Sequence, residues 1–249
     1  MRNAGSVKSP TVSVCAVSHP GKVRPYQEDA FVLGGHAQAA GVKELIVTEA
    51  TLPCDGSIAA VIDGMGGMGG GDIASSWLAR RWAGRHARSI DPLSTNLRKD
   101  HFELLLTAST SPTPLMGDVA TGVALQPDGV LLFHVGDSRA YLVRANSCTQ
   151  LTTDHVSPRG RLLQGFGGGL LDGELTNMQP QILQIPYWED GLLLLASDGA
   201  WGCLKPNIIS QVYSAKPDPK EFLLILTAFI LESPADDNLT MIALGSPKS

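Results

Sequence analysis

The sequence predicts an α+β fold: two antiparallel β-sheets packed as a sandwich and flanked by helices. Three observations carry this. Short apolar runs of strand length, bounded by Gly, Pro and Asp, recur along the chain. A few longer segments place apolar residues at helical spacing. The 249 residues are 43% hydrophobic and only 17% charged, enough for a sizeable core and incompatible with a mainly disordered chain.

Residues 11–17 (TVSVCAV) read as the first strand and 58–62 (IAAVI) as another. Runs 119–125 and 130–135 are joined by Gln126-Pro127-Asp128-Gly129, and Asp-Gly between two such runs signals a hairpin. Segments 139–143, 181–185, 192–196 and 239–244 bring the total to about eight strands. From Asp72, an acid suited to a helix start, Ile73, Ala74, Trp77, Leu78 and Trp82 form one apolar face. A second helix is expected over 95–109. A third, over 219–231 between Pro219 and Pro234, is apolar almost all round and therefore expected to be buried. No repeat, low-complexity tract or linker interrupts the chain, so 1–249 is expected to be one domain.

The net charge is −5, which argues against gripping a nucleic-acid backbone. The cysteines (15, 54, 148 and 203) are scattered and read as reduced thiols in a cytoplasmic protein. The N-terminus lacks the apolar stretch of a signal peptide. The apolar run Phe222–Leu231 is half the roughly 20 residues needed to span a bilayer, so no membrane association is expected.

Of the 24 acidic residues, 16 are Asp. Asp suits turns, helix starts and compact oxygen ligand sets for hard cations. Asp-Gly occurs at 55, 63, 128, 172, 190 and 198. Those at 55, 128 and 190 precede apolar strands, where hairpin turns belong, and 172 sits in a polar loop. Asp63 and Asp198 instead directly follow apolar strands. A carboxylate there is held on a rigid element, and the following Gly lets the backbone turn or approach a ligand. Two such carboxylates repel unless a cation lies between them, although ordinary strand-end turns would explain the same spacing. Glu28-Asp29 and Asp236-Asp237 also border strands. With oxygen donors and no His or Cys cluster, a cation here would be Mg²⁺ or Mn²⁺ rather than Zn²⁺.

At these residues the chain resembles the metal-dependent protein phosphatases of type 2C, the PPM family of Ser/Thr phosphatases, in a compact bacterial form. The motifs follow that family's order: 21–29 (GKVRPYQED), 61–67 (VIDGMGG) with Gly71-Asp72-Ile73-Ala74-Ser75, 136–142 (GDSRAYL), 151–155 (LTTDH), 197–199 (SDG) with Trp201, and 237–240 (DNLT). The resemblance spans about 14–244 and implies a single phosphatase catalytic domain with two Mn²⁺ or Mg²⁺ ions at one end of the sandwich. Asp63 would bridge both ions with help from the Gly64 carbonyl, and Asp198 and Asp237 would hold one ion. Asp29 and Glu28 would serve the other side, Glu28 through water, and Arg24 would hold the substrate phosphate. The implied reaction is hydrolysis of phosphoserine or phosphothreonine in proteins by a metal-activated water. Implied partners are phosphoproteins, with an opposing Ser/Thr kinase, and the expected state is a monomer.

Three departures matter. Met65 stands where eukaryotic relatives carry a His proposed as general acid. The stretch Pro114–Val119 lacks the upstream acid of bacterial relatives; Asp118 could substitute at a third metal site, or simply begin a strand. The interval between His155 and 163–168 (LQGFGG) is short, so the flap subdomain is expected to be reduced and the site open and unselective.

The run 66–71 (GGMGGG) lacks the ending of a phosphate-binding P-loop, and Gly136-Asp137-Ser138-Arg139 is not a nucleophile elbow. The six His residues (19, 36, 86, 101, 134 and 155) show no ligand spacing, and Asp154-His155 reads as a structural hydrogen-bonding pair. Arg80, Arg81, Arg85 and Arg88 read as a solvated basic face. Two rival functions are an inactive sensor domain, which would lose members of the ligand set, and a metallohydrolase of small phosphate esters, which an aromatic content of 6% disfavours.

Overall fold

The computed structural model describes residues 10–65, 69–168 and 178–247. These residues form two antiparallel sheets lying face to face. The first sheet runs, in order, β4 (Ile46–Pro53), β1 (Thr11–His19), β13 (Leu239–Leu244), β12 (Leu192–Ala196), β8 (Arg139–Arg144) and β9 (Ser147–Gln150). The second runs β11 (Gln181–Pro186), β7 (Gly129–Val135), β6 (Gly117–Gln126), β5 (Ile58–Gly64), β2 (Ala30–Leu33) and β3 (His36–Gln38), with β10 (Phe166–Gly167) paired to β6.

Period-two alternation divides each strand between two cores. On β5, Ala59 and Val61 meet the other sheet, while Ile58, Ala60 and Ile62 meet the helices α1 (Gly71–Trp82) and α2 (Ile90–Ser109). On the first sheet, Leu193 and Leu195 face inward, and Leu192, Leu194 and Ala196 pack on α4 (Pro206–Ala215) and α5 (Pro219–Glu232). The result is a four-layer α-β-β-α sandwich, as the sequence predicts. Trp82 anchors the α1 side, edge-on to Phe133 and Phe166 with ring centres 5.4 and 5.6 Å away. Truncating such a buried aromatic typically costs about 3–5 kcal/mol.

The differences from expectation have local causes. Gln126 pairs with Gly129, so Asp128 does close a hairpin. Asp55 and Asp190 do not: β4 and β5, and likewise β11 and β12, belong to different sheets, so these turns carry the chain across the sandwich. Asp55 Oδ1 still accepts from the Ser57 amide and hydroxyl (3.2 and 2.7 Å). The Asp-Gly at 172 and residues 66–68 of the glycine run lie outside the described residues. β4 alternates between half-buried and exposed positions and was masked by its Thr and Glu content. α2 starts earlier than expected because Asp91 and Pro92 fit the first turn. α4 is short but has Pro206 at its start and buries Ile209 and Tyr213 one turn apart. α5 is not buried all round, since Ile225 and Phe229 are about two-fifths exposed.

The arginine run is only half a solvated face: Arg80 and Arg88 are exposed, whereas Arg81 and Arg85 are not. α1 ends at Trp82, and Arg81 and Arg85 both turn onto the buried carboxylate of Asp100 on α2. Arg81 Nε and Arg85 Nη1 each lie 2.5 Å from it, and Trp82 Nε1 donates to it at 2.8 Å. Asp154 and His155 likewise part company. Asp154 takes a forked contact from Arg139 (2.7 and 3.0 Å), while His155 Nδ1 accepts from the Gly136 amide (3.1 Å).

Candidate active site

Both sheets end in carboxylates at the same edge of the sandwich. β5 delivers Asp63 at its carboxyl end, and Asp29 immediately precedes β2, whose Ala30 pairs with Ile62. In the other sheet, β12 leads into Asp198, the first residue of a short helix α3 (Asp198–Trp201), and Asp237 precedes β13. The Ser197 amide donates to the Thr240 carbonyl (3.0 Å), which brings the two segments side by side. Side-chain alternation explains the convergence. Asp63 and Asp29 continue the inward-facing sets Ala59–Val61 and Phe31–Leu33, so they point between the sheets.

Two glycines are required by close backbone approach. A Cβ on Gly64 would sit 2.5 Å from the carbonyl oxygens of both Glu28 and Gly71. A Cβ on Gly199 would sit 2.0 Å from the Asn238 carbonyl oxygen. The Gly of each Asp-Gly pair therefore lets the segment carrying its Asp pack against the neighbouring one.

Arg24, Glu28, Asp63, Gly64, Asp198 and Asp237 line one cavity of about 170 Å³, together with Met65, Val119, Asp137, Leu162 and Asn238. Asp29 lies buried behind this wall, with Oδ2 lacking any hydrogen-bond partner. Arg24 Nη2 donates to Asp237 Oδ2 at 2.9 Å. Burial pushes Asp63 well above the usual carboxylate range, and the charges of Asp29 and Asp198 push further. Asp29 is raised to about 7, mainly by burial, with hydroxyls of Thr240 and Ser197 acting the other way. Burial and Asp237 also raise Asp198, and burial raises Glu28 despite Arg24.

Among the described residues, no three acidic, His or Cys side chains are drawn close enough to form a ready-made metal shell. The donor set nevertheless fits a hard divalent cation. It offers oxygen donors only, one carboxylate oxygen being buried without a partner, and the mutual repulsion of the carboxylates is what a cation would relieve.

Asp118 stands apart. It pairs with Gly64 across the ladder, but it shares the face of β6 with Ala120 and Ala124, on the helix side. It is fully buried, neither carboxylate oxygen has a partner, and burial raises it well above its usual range. It does not line the cavity.

Sequence reasoning overlooked Asp137 as a lining residue. The signal was available, because Asp137 follows an apolar strand just as Asp63 and Asp198 do. Burial and Asp198 raise it to about 6. The rest of its motif braces the site. Trp201 Nε1 donates to the Asp137 carbonyl (3.0 Å), and the Arg139 guanidinium carbon lies 3.3 Å from the Trp201 ring centre. The start of α3, and with it Asp198, is thereby fixed.

No protein-family model matches the chain. A putative protein phosphatase of Mycoplasma pneumoniae is 27% identical over 215 residues, covering 73% of this chain and 82% of that protein. The serine/threonine phosphatase stp of Listeria welshimeri is 25% identical over 213 residues, covering 74% and 82%. The catalytic domain of the serine/threonine protein phosphatase PstP, solved with two manganese ions, superposes with a TM-score of 0.72 at 22% identity, over 95% of this chain and 99% of that one. In sequence the chain is similar to these serine/threonine phosphatases, and it shares the fold that the type 2C resemblance implies. At the carboxylate edge Met65 follows the Asp63-Gly64 pair, and a small turn follows His155. That turn is closed by a bridge between Val156 and Leu162, and Leu162 reaches the cavity; residues 169–177, which follow it, lie outside the described residues.

Proposed function

We propose that this chain is a single phosphatase domain that hydrolyses phosphoserine and phosphothreonine in proteins with the help of divalent cations. The observation that carries it is the convergence of Asp63, Asp198, Asp237 and Glu28 with one arginine, Arg24, on a single cavity. Asp63, Asp198 and Asp237, with the Gly64 carbonyl, would hold Mn²⁺ or Mg²⁺ ions, two by analogy with the PstP structure. Asp29 and Glu28 would complete the other side, Glu28 through water. Such ions supply positive charge for the phosphoryl oxygens and lower the pKa of a bound water toward neutrality.

The chain's own residues bind and orient. Arg24 offers a planar fork to a phosphate dianion, a geometry lysine lacks. Its present contact with Asp237 shows that the guanidinium reaches the carboxylate edge of the cavity. Met65 cannot donate a proton, so leaving-group protonation falls to solvent or to another acid. Asp137 lines the cavity and would supply a carboxyl there. Asp118, on the helix side of β6, is the weaker candidate for a third cation. No helix among the described residues is long and apolar enough to cross a membrane. We place the protein in the cytoplasm as a monomer acting on phosphoproteins, opposite a Ser/Thr kinase.

The test is hydrolysis of a phosphothreonine peptide with and without Mn²⁺, beside Asp63→Asn and Asp198→Asn. Activity that requires Mn²⁺ and falls at least about a hundredfold in both variants is expected. Metal-independent turnover, or full activity in either variant, would overturn the mechanism, and an inactive wild type would favour a sensor role.

A further inference from the structure

The loop carrying Arg24 and the segment carrying Asp237 are remote in sequence, yet the buried Asn238 side chain joins them, beside hydrogen bonds from Gln27 Nε2 to the Leu239 carbonyl (3.2 Å) and from the Lys22 amide to the Ala235 carbonyl (2.8 Å). Asn238 Nδ2 donates to the carbonyls of Pro20 (2.9 Å) and Tyr26 (3.1 Å), and its Oδ1 accepts from the Glu28 amide (2.8 Å). The residue is only 4% exposed, whereas Lys22 to Tyr26 lie on the surface. Arg24 sits between the two carbonyls that Asn238 grips. Its guanidinium reaches Asp237, the residue next to Asn238.

We propose that Asn238 is a positioning residue for phosphate binding. By holding the loop on both sides of Arg24, it fixes the guanidinium relative to the carboxylates of Asp63, Asp198 and Asp237. This rests on the reading of Arg24 as the phosphate-holding residue. The physical reason is entropic. An arginine on a free surface loop loses backbone and side-chain freedom at each capture of an anion, and a loop tied at both ends has already lost much of it. All three contacts run to backbone atoms, so the effect does not depend on the side chains of Pro20, Tyr26 or Glu28.

The experiment compares wild type, Asn238→Ala, Arg24→Ala and the double variant, all full-length and Mn²⁺-loaded. The readouts are kcat and KM for a phosphothreonine peptide, binding of inorganic phosphate by calorimetry, and amide exchange across residues 20–28. Asn238→Ala should raise KM and weaken phosphate binding about tenfold, with kcat changed less than about threefold. It should add nothing once Arg24 is gone, and amides 20–28 should exchange faster. A purely structural role would lower stability without moving KM in the folded enzyme, and an effect on KM that does not act through Arg24 would persist in full in the double variant. Either outcome overturns the proposal, as does unchanged exchange at 20–28. Should Asn238→Ala not fold, Asn238→Ser, which keeps one donor, takes its place. A wild type that hydrolyses nothing refutes the phosphatase reading separately, and calorimetry and exchange still decide the role of Asn238.

Discussion

His134 makes the stability of this protein pH-dependent well away from the carboxylate edge. The ring is fully buried on β7, with Nδ1 2.8 Å from the Thr121 hydroxyl and Nε2 3.1 Å from the Thr153 carbonyl. Burial lowers its pKa from 6.5 to about 4, His155 at a ring distance of 4.8 Å lowers it further, and the Thr153 carbonyl only partly compensates. A histidine whose folded pKa is depressed binds its proton more readily when unfolded. Its contribution to stability is therefore complete above pH 6.5, is lost as the pH falls toward 4, and changes no further below that. At about 1.4 kcal/mol per pH unit the full displacement is worth about 3 kcal/mol, of which about 2.5 kcal/mol is lost by pH 4.5. The assay is urea unfolding of wild type and His134→Gln at pH 7.5 and pH 4.5. Carboxylate titration is common to both proteins and cancels in the comparison. Wild type should lose about 2.5 kcal/mol more than the variant over this interval, and equal losses would refute the assignment.

Three other outcomes are expected. Asp100→Ala leaves Arg81 and Arg85 facing an emptied site. Both arginines are about a quarter exposed and can rehydrate, so the cost should fall at the low end for a broken buried pair, about 3 kcal/mol, or a drop of about 6–12 °C in melting temperature by calorimetry. Mn²⁺ at about a hundredfold above its dissociation constant should add about 2.7 kcal/mol, a rise of about 5–11 °C reversed by chelator. A rise of the same size in Asp63→Asn would argue against this site. If the site is open and unselective, as the short interval after His155 predicts, kcat/KM on several unrelated phosphopeptides should agree within about tenfold, whereas strict preference for one would contradict the open-site reading.

The sequence by itself determined the sandwich's strands, because short continuous apolar runs such as 58–62 and 192–196, bounded by Gly, Pro and Asp, must be buried on both faces, and that depends only on local composition. It also marked Asp63 and Asp198, since a charge directly after a buried strand is a local signal. It could not determine what Asp55 and Asp190 connect, because a turn that stays within a sheet and one that crosses between sheets use the same residues. It misread Arg81 and Arg85 as solvated, because their partner Asp100 lies on the next helix. It overlooked the side-chain role of Asn238, whose three contacts all lie more than two hundred residues away in sequence. Tertiary structure alone decided that Asp118 faces the helices while Asp63 faces the other sheet. The two lie near one another across a single ladder, and the alternation of adjacent positions turns them to opposite sides. The aspartate excess thus resolves into turns, a helix start, a buried ion-pair anchor at Asp100 and a convergent set of carboxylates. Only the packing of the two sheets brings that last set together.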